Sequence, residues 1–325
     1  MIRVGCVGCG AWGKNLLRVW NETEGAQLVA VARSDAARLG QVLEQYPSAK
    51  GFATSEELVA DPSIDLVSIA TPPSTHYEIA RQALLAGKHV FVEKPMCLDP
   101  GEARALAELA DETGRVVMVG HLMEHSGPVP AIREVIDSGR LGELRHMHFQ
   151  RLKLGRVRRE ENVLWSFAPH DLSIASYWLQ RVPRTVQAVG HCYIQPDVED
   201  IVFMDCWYED GVSLHVHVSW LHPESVRKVV VVGSSGMVIW DDMASGQKVH
   251  FSASGIGTDL GNIESETEPV VYSATQPLQA ECASLIYCIE SGQRPANDAW
   301  DGVRVVEMLA AADRSLQTNQ PSTLT

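Results

Sequence analysis

The 325-residue sequence lacks the features that define several large classes of protein. It has no apolar run close to the ~18 residues that a membrane-spanning helix needs. Lys and Arg number 27 against 41 Asp and Glu, and the resulting net charge of −14 repels the phosphate backbone of a nucleic acid. The start of the chain shows no basic segment followed by an uninterrupted apolar stretch. We therefore expect a cytoplasmic protein that binds neither membrane nor nucleic acid.

Cysteine is too irregular for a disulfide framework. The seven cysteines are scattered along the chain, and an odd number without regular spacing suits a reducing compartment. Cys6 and Cys9 form one CxxC pattern, but we interpret them as small residues that pack near a crowded turn.

Metal-ligand patterns are also scarce. His121 and His125 form one pair at helical spacing, and His215 and His217 form another at strand spacing. Neither pair has a third ligand nearby in the sequence, so we predict no metal site and interpret these histidines as surface or interface residues.

What the sequence does contain is a glycine turn at its start. Gly8-x-Gly10-x-x-Gly13 lies between a predicted strand over residues 2–7 and a predicted helix over residues 11–23. Gly8 can make the tight turn, Gly10 lets a pyrophosphate approach the main chain, and Gly13 lets the helix pack close to the strand. The helix N-terminus then points its free N–H groups at the phosphates. A tight turn without a ligand is the alternative, but the strand–turn–helix context predicts a dinucleotide site.

The end of the second predicted strand, residues 27–32, is where the choice of cofactor is made. A carboxylate at this point would bind the ribose 2′-hydroxyl and repel a 2′-phosphate. Here Arg33 and Ser34 occupy the position, and Asp35 comes two positions late and is equally well explained as the N-cap of the next helix. We expect NAD as the cofactor, and NADP stays open.

The order of elements predicts an α/β fold with two domains. Strands alternate with helices up to about residue 120, which is typical of an N-terminal Rossmann domain with a doubly wound parallel sheet, assigned to residues 1–121. Later segments such as 212–218 alternate apolar with polar residues, which predicts a mainly antiparallel open sheet in a C-terminal α+β domain, residues 122–325. Helices predicted at 169–180, 277–291 and 298–317 would cover that sheet. The Gly/Ser-rich stretch 252–262 is interpreted as one loop.

Four features together resemble the Gfo/Idh/MocA oxidoreductases over essentially the whole chain. They are the glycine turn, Thr71-Pro72-Pro73, Glu93-Lys94-Pro95 after the fifth strand, and a histidine at the head of a helix in the mainly β second half. Segments 162–171 and 232–242 resemble the nucleotide-sugar branch of that family, closest to the UDP-N-acetylglucosamine 3-dehydrogenases.

The resemblance implies NAD(P)-dependent oxidation of the 3-hydroxyl of a UDP-activated amino sugar. It implies a homodimer or homotetramer formed through the C-terminal sheet, and a PLP-dependent aminotransferase that uses the 3-keto product. The cofactor-binding residues that it implies are Gly8, Gly10, Ala11, Trp12, Gly13, Arg33, Ser34, Thr71, Pro72, His76, Glu93 and Lys94. The implied substrate-binding residues are Lys94, Arg151, Arg156, Arg158, Asn162, Trp165 and His170.

Oxidation of an alcohol needs a group to hold the developing alkoxide and a base to take the proton. By resemblance Lys94 is the catalytic lysine, and the alternative is a solvated lysine after a strand. His170 is the predicted base, in the first turn of a helix opened by Pro169, where the positive helix end would keep its imidazole neutral. Many family members carry an acidic residue where this chain has Ser166, and Asp171 is not assumed to replace it.

Five basic side chains lie in residues 151–159 of an otherwise acidic protein. They would attract an anionic substrate such as a sugar diphosphate. Glu160 and Glu161 follow directly, so a solvated ion-pair loop is an equal alternative. A cyclitol or free-sugar dehydrogenase would not need this basic stretch, and a non-catalytic dinucleotide-sensing regulator is the alternative outside enzymes.

Overall fold

The computed structural model describes residues 1–155, 157–159, 161–257, 259–263 and 265–324. The chain forms two compact units, each made of two segments of sequence. The first unit comprises Met1–His125 and Thr275–Val306, and the second comprises Ser126–Ala274 and Glu307–Thr325. The predicted boundary after His121 lies close to the first crossing, but the return of residues 275–306 to the first unit was not predicted. None of the helices in the described ranges is both long and apolar enough to span a bilayer.

The elements follow the chain in a regular order. The α-helices of the described residues are α1 (Gly13–Glu22), α2 (Ala36–Gln45), α3 (Ser55–Ala60), α4 (His76–Leu85), α5 (Pro100–Thr113), α6 (Pro128–Asp137), α7 (Val163–Leu179), α8 (Pro277–Ser291) and α9 (Ala299–Thr318). The first strands are β1 (Ile2–Val7), β2 (Ala26–Ala32), β3 (Lys50–Phe52), β4 (Leu66–Ile69), β5 (His89–Val92) and β6 (Val117–Val119). The later ones are β7 (Leu144–Leu152), β8 (Thr185–His191), β9 (Ile201–Trp207), β10 (Ser213–Ser219), β11 (Val226–Gly233), β12 (Met237–Asp241), β13 (Val249–Ser252), β14 (Gly255–Ile256), β15 (Asn262–Ile263), β16 (Thr267–Pro269) and β17 (Ser322–Thr323).

A parallel sheet forms the centre of the first unit, as predicted for a doubly wound fold. Its strands lie in the order β3-β2-β1-β4-β5-β6 and all pair in parallel. The strands are largely buried, which explains why they appear in the sequence as continuous apolar runs. The order reverses between β1 and β4, and ligands of such sheets bind at the carboxyl ends of the strands near that point.

Local capping sets the starts of several helices in this unit. Asp35, Thr54 and Asp99 each accept a hydrogen bond from the backbone amide three residues on, at 3.0, 3.2 and 3.0 Å. The N-cap role of Asp35 was predicted from the sequence. Helix α5 ends at Gly114, whose φ of 63° is the left-handed conformation that favours glycine.

Helix α8 packs in the first unit and not on the antiparallel sheet, so that part of the prediction was wrong. Its buried residues Cys282, Leu285 and Ile286 belong to the same hydrophobic core as Trp20 of α1. The sequence pattern identified the helix correctly but carried no signal for which sheet its apolar face would cover.

A nine-stranded sheet dominates the second unit, in the order β16-β13-β12-β11-β7-β10-β9-β8-β17. Strands β7 and β10 pair in parallel, and the other neighbours pair antiparallel. Along β10 the buried Leu214 and Val216 alternate with the partly exposed His215 and His217, as the period of two requires. The mainly antiparallel sheet is therefore confirmed. Stretch 252–262 is not one loop, because β14 and β15 pair within and next to it.

Helix α7 begins six residues before the predicted start, and Pro169 lies inside it. The error came from taking Pro169 as the first helical residue. Asn162 is the actual N-cap, and its side-chain oxygen accepts a hydrogen bond from the amide of Trp165 at 3.2 Å. An interior proline costs a helix ~3 kcal/mol or more, and the extensive burial of this helix offsets that cost.

Candidate active site

The three glycines of the first turn have different steric reasons to be glycine. Gly8 has a φ of +90°, and a Cβ there would lie 2.6 Å from the carbonyl oxygen of Ala70. A Cβ on Gly13 would lie 2.1 Å from the carbonyl oxygen of Gly8. Gly10 has no described atom within 4 Å of where its Cβ would be. The fold therefore requires Gly8 and Gly13, whereas the space beside Gly10 is open to a ligand.

The N-terminus of helix α1 fits an anionic group. Trp12 occupies the N-cap position and no side chain caps the helix there. An uncapped helix N-terminus presents its backbone N–H groups and its positive dipole end to a phosphate. Beside it lies a cavity of about 450 Å³ whose lining includes Gly10, Ala11 and Arg33. The residues of the glycine turn thus fit the pyrophosphate of a dinucleotide.

Two turns at the carboxyl edge of the sheet are tied together by His76. Its Nδ1 lies 2.9 Å from the carbonyl oxygen of Pro95, and its Nε2 lies 2.9 Å from that of Thr71. The ring is buried, and burial lowers the pKa of His76, so it is neutral at pH 7 and donates from one nitrogen at a time. His76 therefore positions the turn after β4 against the turn that carries Lys94.

Glu93 connects the glycine turn to the end of β5. Trp12 Nε1 donates a hydrogen bond to its carboxylate, and the backbone amide of Lys94 lies 3.3 Å from Oε2. Burial raises the pKa of Glu93 to about 7, against the opposing effects of the Trp12 hydrogen bond and the Lys94 charge. Lys94 is half-buried and precedes a cis peptide bond to Pro95. The predicted cofactor residues Trp12, Glu93 and Lys94 are thus brought together within the first unit.

A buried polar cluster that sequence reasoning missed lies in the same unit. His121 Nδ1 is 2.6 Å from Asp301 Oδ2 and 3.4 Å from Glu124 Oε1, and one donor atom from each residue lies within 4.8 Å of the others. The prediction of no metal site considered only third ligands near His121 and His125 in the sequence, whereas Asp301 comes from α9, 180 residues further along the chain. His125 instead contacts Asn297.

Cations of the protein itself already lie beside the carboxylates of this cluster. Burial by itself lowers the pKa of His121, but hydrogen bonds to Asp301 and Glu124 outweigh it and raise the pKa to about 9. Arg304 donates to Asp301 Oδ1 at 3.0 Å. We interpret the cluster as an ion-pair network that fixes α9 to the end of the parallel sheet.

In the second unit, the corrected start of α7 changes the position of His170. It lies in the third turn of the helix and is partly buried, so the positive helix end no longer explains a neutral imidazole. Ser166 lies one turn earlier on the same helix and is buried. The Asp171 carboxylate binds a different side chain, so Asp171 does not replace the acidic residue that many family members have at position 166.

That partner is Arg151, one of the predicted substrate-binding residues. Arg151 Nη2 lies 2.7 Å from Asp171 Oδ1, and Nε lies 3.1 and 3.2 Å from the two carboxylate oxygens. The pair holds strand β7 to helix α7. The guanidinium is therefore largely used inside the protein, as the ion-pair alternative for the basic stretch allowed.

Asn162 and Trp165 also have partners within the protein. Besides capping α7, Asn162 Nδ2 donates to Glu199 Oε2 at 2.9 Å, and Trp165 Nε1 donates to Asp313 Oδ2 at 2.5 Å. These contacts leave little of either side chain's hydrogen-bonding capacity for a substrate. The substrate role of both residues stays a prediction without support from this geometry.

The remaining basic residues of the stretch divide into paired and unpaired ones. Arg158 forms an ion pair with Glu161 at 2.8 Å. Lys153 and Arg159 are exposed and form no ion pair with any residue that the structure describes. Arg156, a predicted substrate-binding residue, lies outside the described residues.

Comparisons with known proteins agree with this architecture. Residues 2–121 match the model of an oxidoreductase family with an NAD-binding Rossmann fold, GFO_IDH_MocA, and residues 129–239 match the GFO/IDH/MocA C-terminal domain. An inositol 2-dehydrogenase of Corynebacterium glutamicum is 33% identical over 261 residues, covering 74% of this chain and 77% of that protein. UDP-N-acetylglucosamine 3-dehydrogenase of Acidithiobacillus ferrooxidans is 28% identical over 317 residues, covering 96% and 95%. A solved structure of the enzyme of that name and species has a TM-score of 0.85 and 26% identity, covering 97% of each chain.

Proposed function

Because the chain belongs to the Gfo/Idh/MocA family of NAD-binding oxidoreductases, we propose that it oxidises the 3-hydroxyl of UDP-N-acetylglucosamine or a closely related UDP-activated amino sugar. Named relatives in this family are dehydrogenases or reductases of sugars and cyclitols, and this chain is an NAD(P)-dependent enzyme of that class. The likeness that carries the substrate proposal is the one to UDP-N-acetylglucosamine 3-dehydrogenase, which extends over nearly the full length of both chains.

Lys94 is proposed to hold the reacting hydroxyl. Bound NAD(P)⁺ supplies the hydride acceptor in this class of reaction. The Lys94 ammonium would donate a hydrogen bond to the hydroxyl oxygen and stabilise the negative charge that develops there. His76 supports this role by fixing the carbonyl oxygen of Pro95, the residue that follows Lys94.

His170 is proposed to receive the hydroxyl proton. Its support is its place on a buried helix, where Asn162 caps the start and the Arg151–Asp171 pair anchors the helix to β7. A base on such a rigid element keeps its orientation, which general base catalysis requires.

The test of Lys94 is the Lys94→Ala variant. We expect cofactor binding to stay within about threefold of the parent protein, whereas kcat falls at least ~100-fold, the usual size of a lost acid–base or electrostatic contribution. Lys50→Ala, which removes an exposed lysine paired with Asp61 in the same unit, is the matched control. Unchanged turnover in Lys94→Ala would remove this residue from the mechanism.

The test of the substrate is a spectrophotometric screen of UDP-sugars, free amino sugars and cyclitols with each oxidised cofactor. Among the described basic residues of stretch 151–159, Lys153 and Arg159 have no ion-pair partner and can attract a diphosphate. Replacing both by Ala should therefore raise KM for the UDP-sugar while kcat stays constant. Arg145→Ala is the control, because Arg145 is exposed near the start of β7, ~27 Å of extended chain away from Lys153, which directly follows the end of that strand.

An inositol-type cyclitol dehydrogenase is the second candidate, favoured by the 33% identity to the Corynebacterium glutamicum enzyme. This candidate gains if inositol is oxidised with the higher kcat/KM and the double variant leaves KM unchanged. If no alcohol reduces the cofactor, the regulator alternative takes its place.

We also propose that the sheet of the second unit pairs with a second copy of the chain. Its outer face carries the exposed apolar side chains Val189, Phe203 and Trp207, and Phe203 stacks on His217 at 4.2 Å between ring centroids. Apolar residues grouped on one sheet face are typical of an interface. Light scattering coupled to gel filtration measures the assembly directly, and a monomer at all concentrations would contradict it.

A further inference from the structure

We propose that the dinucleotide site of the first unit is built for the 2′-phosphate of NADP(H) in preference to the free ribose hydroxyl of NAD(H). The inference rests on the dinucleotide site itself and is independent of which alcohol the enzyme oxidises. The sequence left the choice between NAD and NADP open.

The cavity beside the glycine turn is basic. Lys14, Arg33 and Arg38 all line it, and none of the described residues in its lining is Asp or Glu. Arg38 is paired with Asp35, but Lys14 and Arg33 form no ion pair with any described residue, so positive charges around this one space repel one another. A dianionic phosphate placed among them would remove that repulsion.

Arg33 is the residue best placed to bind such a group. Its Nη1 donates to the carbonyl oxygen of Cys9 at 2.7 Å, which holds the guanidinium against the glycine turn. Its Nε is buried and has no hydrogen-bond partner among the described residues. A guanidinium that is already oriented, with a donor still to be satisfied, can bind a phosphate through two parallel hydrogen bonds.

The carboxylate that an NAD site would need is engaged elsewhere. Asp35 Oδ1 accepts from the amide of Arg38 at 3.0 Å as the N-cap of α2, and Oδ2 lies 3.4 Å from Arg38 Nε. Ser34, which directly precedes it, is exposed and uncharged. The position after β2 therefore offers a hydroxyl and a guanidinium, which tolerate a phosphate, and no free carboxylate, which would repel it.

Isothermal titration calorimetry on the full chain tests the preference without any sugar substrate. The probes are NADP⁺ and NAD⁺, followed by 2′-AMP and 5′-AMP, which isolate the phosphate position from the nicotinamide. We expect NADP⁺ to bind at least about tenfold more tightly than NAD⁺, and 2′-AMP more tightly than 5′-AMP, with both differences shrinking as salt is raised. Equal or tighter binding of NAD⁺ would overturn the proposal.

Variants then assign the residues. Arg33→Ala and Arg38→Ala should each raise Kd for NADP⁺ by between about tenfold and a hundredfold, as expected for the loss of a charge-assisted hydrogen bond. Arg38→Ala should change Kd for NAD⁺ little, whereas Arg33→Ala, which also removes a contact to the glycine turn, should raise Kd for NAD⁺ less than Kd for NADP⁺. Arg81→Ala, which removes an exposed arginine on α4 of the same unit, is the matched control and should change neither value.

Because Arg33 also supports the glycine turn, Ser34→Asp provides a second test that leaves Arg33 in place. The new carboxylate should weaken NADP⁺ binding and strengthen NAD⁺ binding, so that the preference reverses. A preference that survives Ser34→Asp and both arginine replacements would overturn the assignment. A protein that binds NADP⁺ as expected but oxidises no UDP-sugar would contradict only the proposed function.

Discussion

The ion pair between Arg151 and Asp171 provides a quantitative test of how the second unit uses its basic residues. The side chains of Arg151 and Asp171 are only 14% and 2% exposed. Burial raises the pKa of Asp171, and the adjacent guanidinium opposes that rise through its charge and its hydrogen bonds. The replacement Arg151→Met keeps the length and apolar volume of the stem and removes the charge that compensates Asp171.

The expected cost follows from leaving one charge buried without its partner. Breaking such a pair typically costs ~3–5 kcal/mol, much more than the net stabilisation of the intact pair. For a cooperative unit of this size, each kcal/mol lowers Tm by ~2–4 °C, so Arg151→Met should lower the Tm of the second unit by ~6–20 °C. The loss should shrink as the pH falls, because a protonated Asp171 carries no charge to compensate.

Differential scanning calorimetry measures this effect, and steady-state kinetics measures KM in parallel. The double variant Arg151→Met/Asp171→Leu should recover most of the lost stability, since it leaves no buried charge. Arg158→Ala is the control, because its pair with Glu161 is more exposed and should contribute less than ~1 kcal/mol. An unchanged Tm with a raised KM in Arg151→Met would refute this reasoning and restore Arg151 to the substrate site.

Three further predictions concern the first unit. Gly10→Ala should abolish cofactor binding and leave Tm unchanged, whereas Gly13→Ala should abolish binding and also lower Tm. The reason is that a Cβ on Gly13 collides with the protein and a Cβ on Gly10 does not. Calorimetry measures Tm, and cofactor titration measures binding. Cofactor affinity should rise with pH around 7 as Glu93 ionises and strengthens its hydrogen bond from Trp12, and titration of Glu93→Gln should lack this step. The free energy of unfolding should fall by about 3 kcal/mol as the pH rises from the ordinary histidine pKa through about 9, because folded His121 loses its proton there. Denaturant titrations at several pH values measure this dependence, and His121→Asn should flatten it.

Most of the architecture was accessible from local patterns. The strands of the first unit are apolar runs bounded by glycine and proline, and the caps at Asp35, Thr54 and Asp99 act through residues three positions apart. Such signals involve only neighbouring residues, so they appear in the sequence whatever the rest of the chain does. The main local error, the start of α7, arose because Pro169 is a stronger start signal than Asn162 and only the burial of the helix tolerates an interior proline.

The candidate site divides in the same way. The glycine turn was predicted with the steric reason for each glycine, because backbone approach is encoded in a few adjacent residues. The partners of Arg151, Trp165 and His121 were not predicted. Each lies between 20 and 180 residues away along the chain, and nothing in the local spacing records such a pairing.

What the sequence determined by itself was the type of most elements, the nucleotide-binding turn and the family resemblance, because these depend on periodicity and on short motifs. Only the tertiary structure decided that α8 packs in the first unit, that Arg151 is paired with Asp171, and that three cations surround a cavity without a carboxylate. Those outcomes depend on burial and on distances between remote residues. Burial and distance also set which charges are compensated and which stay available to a ligand.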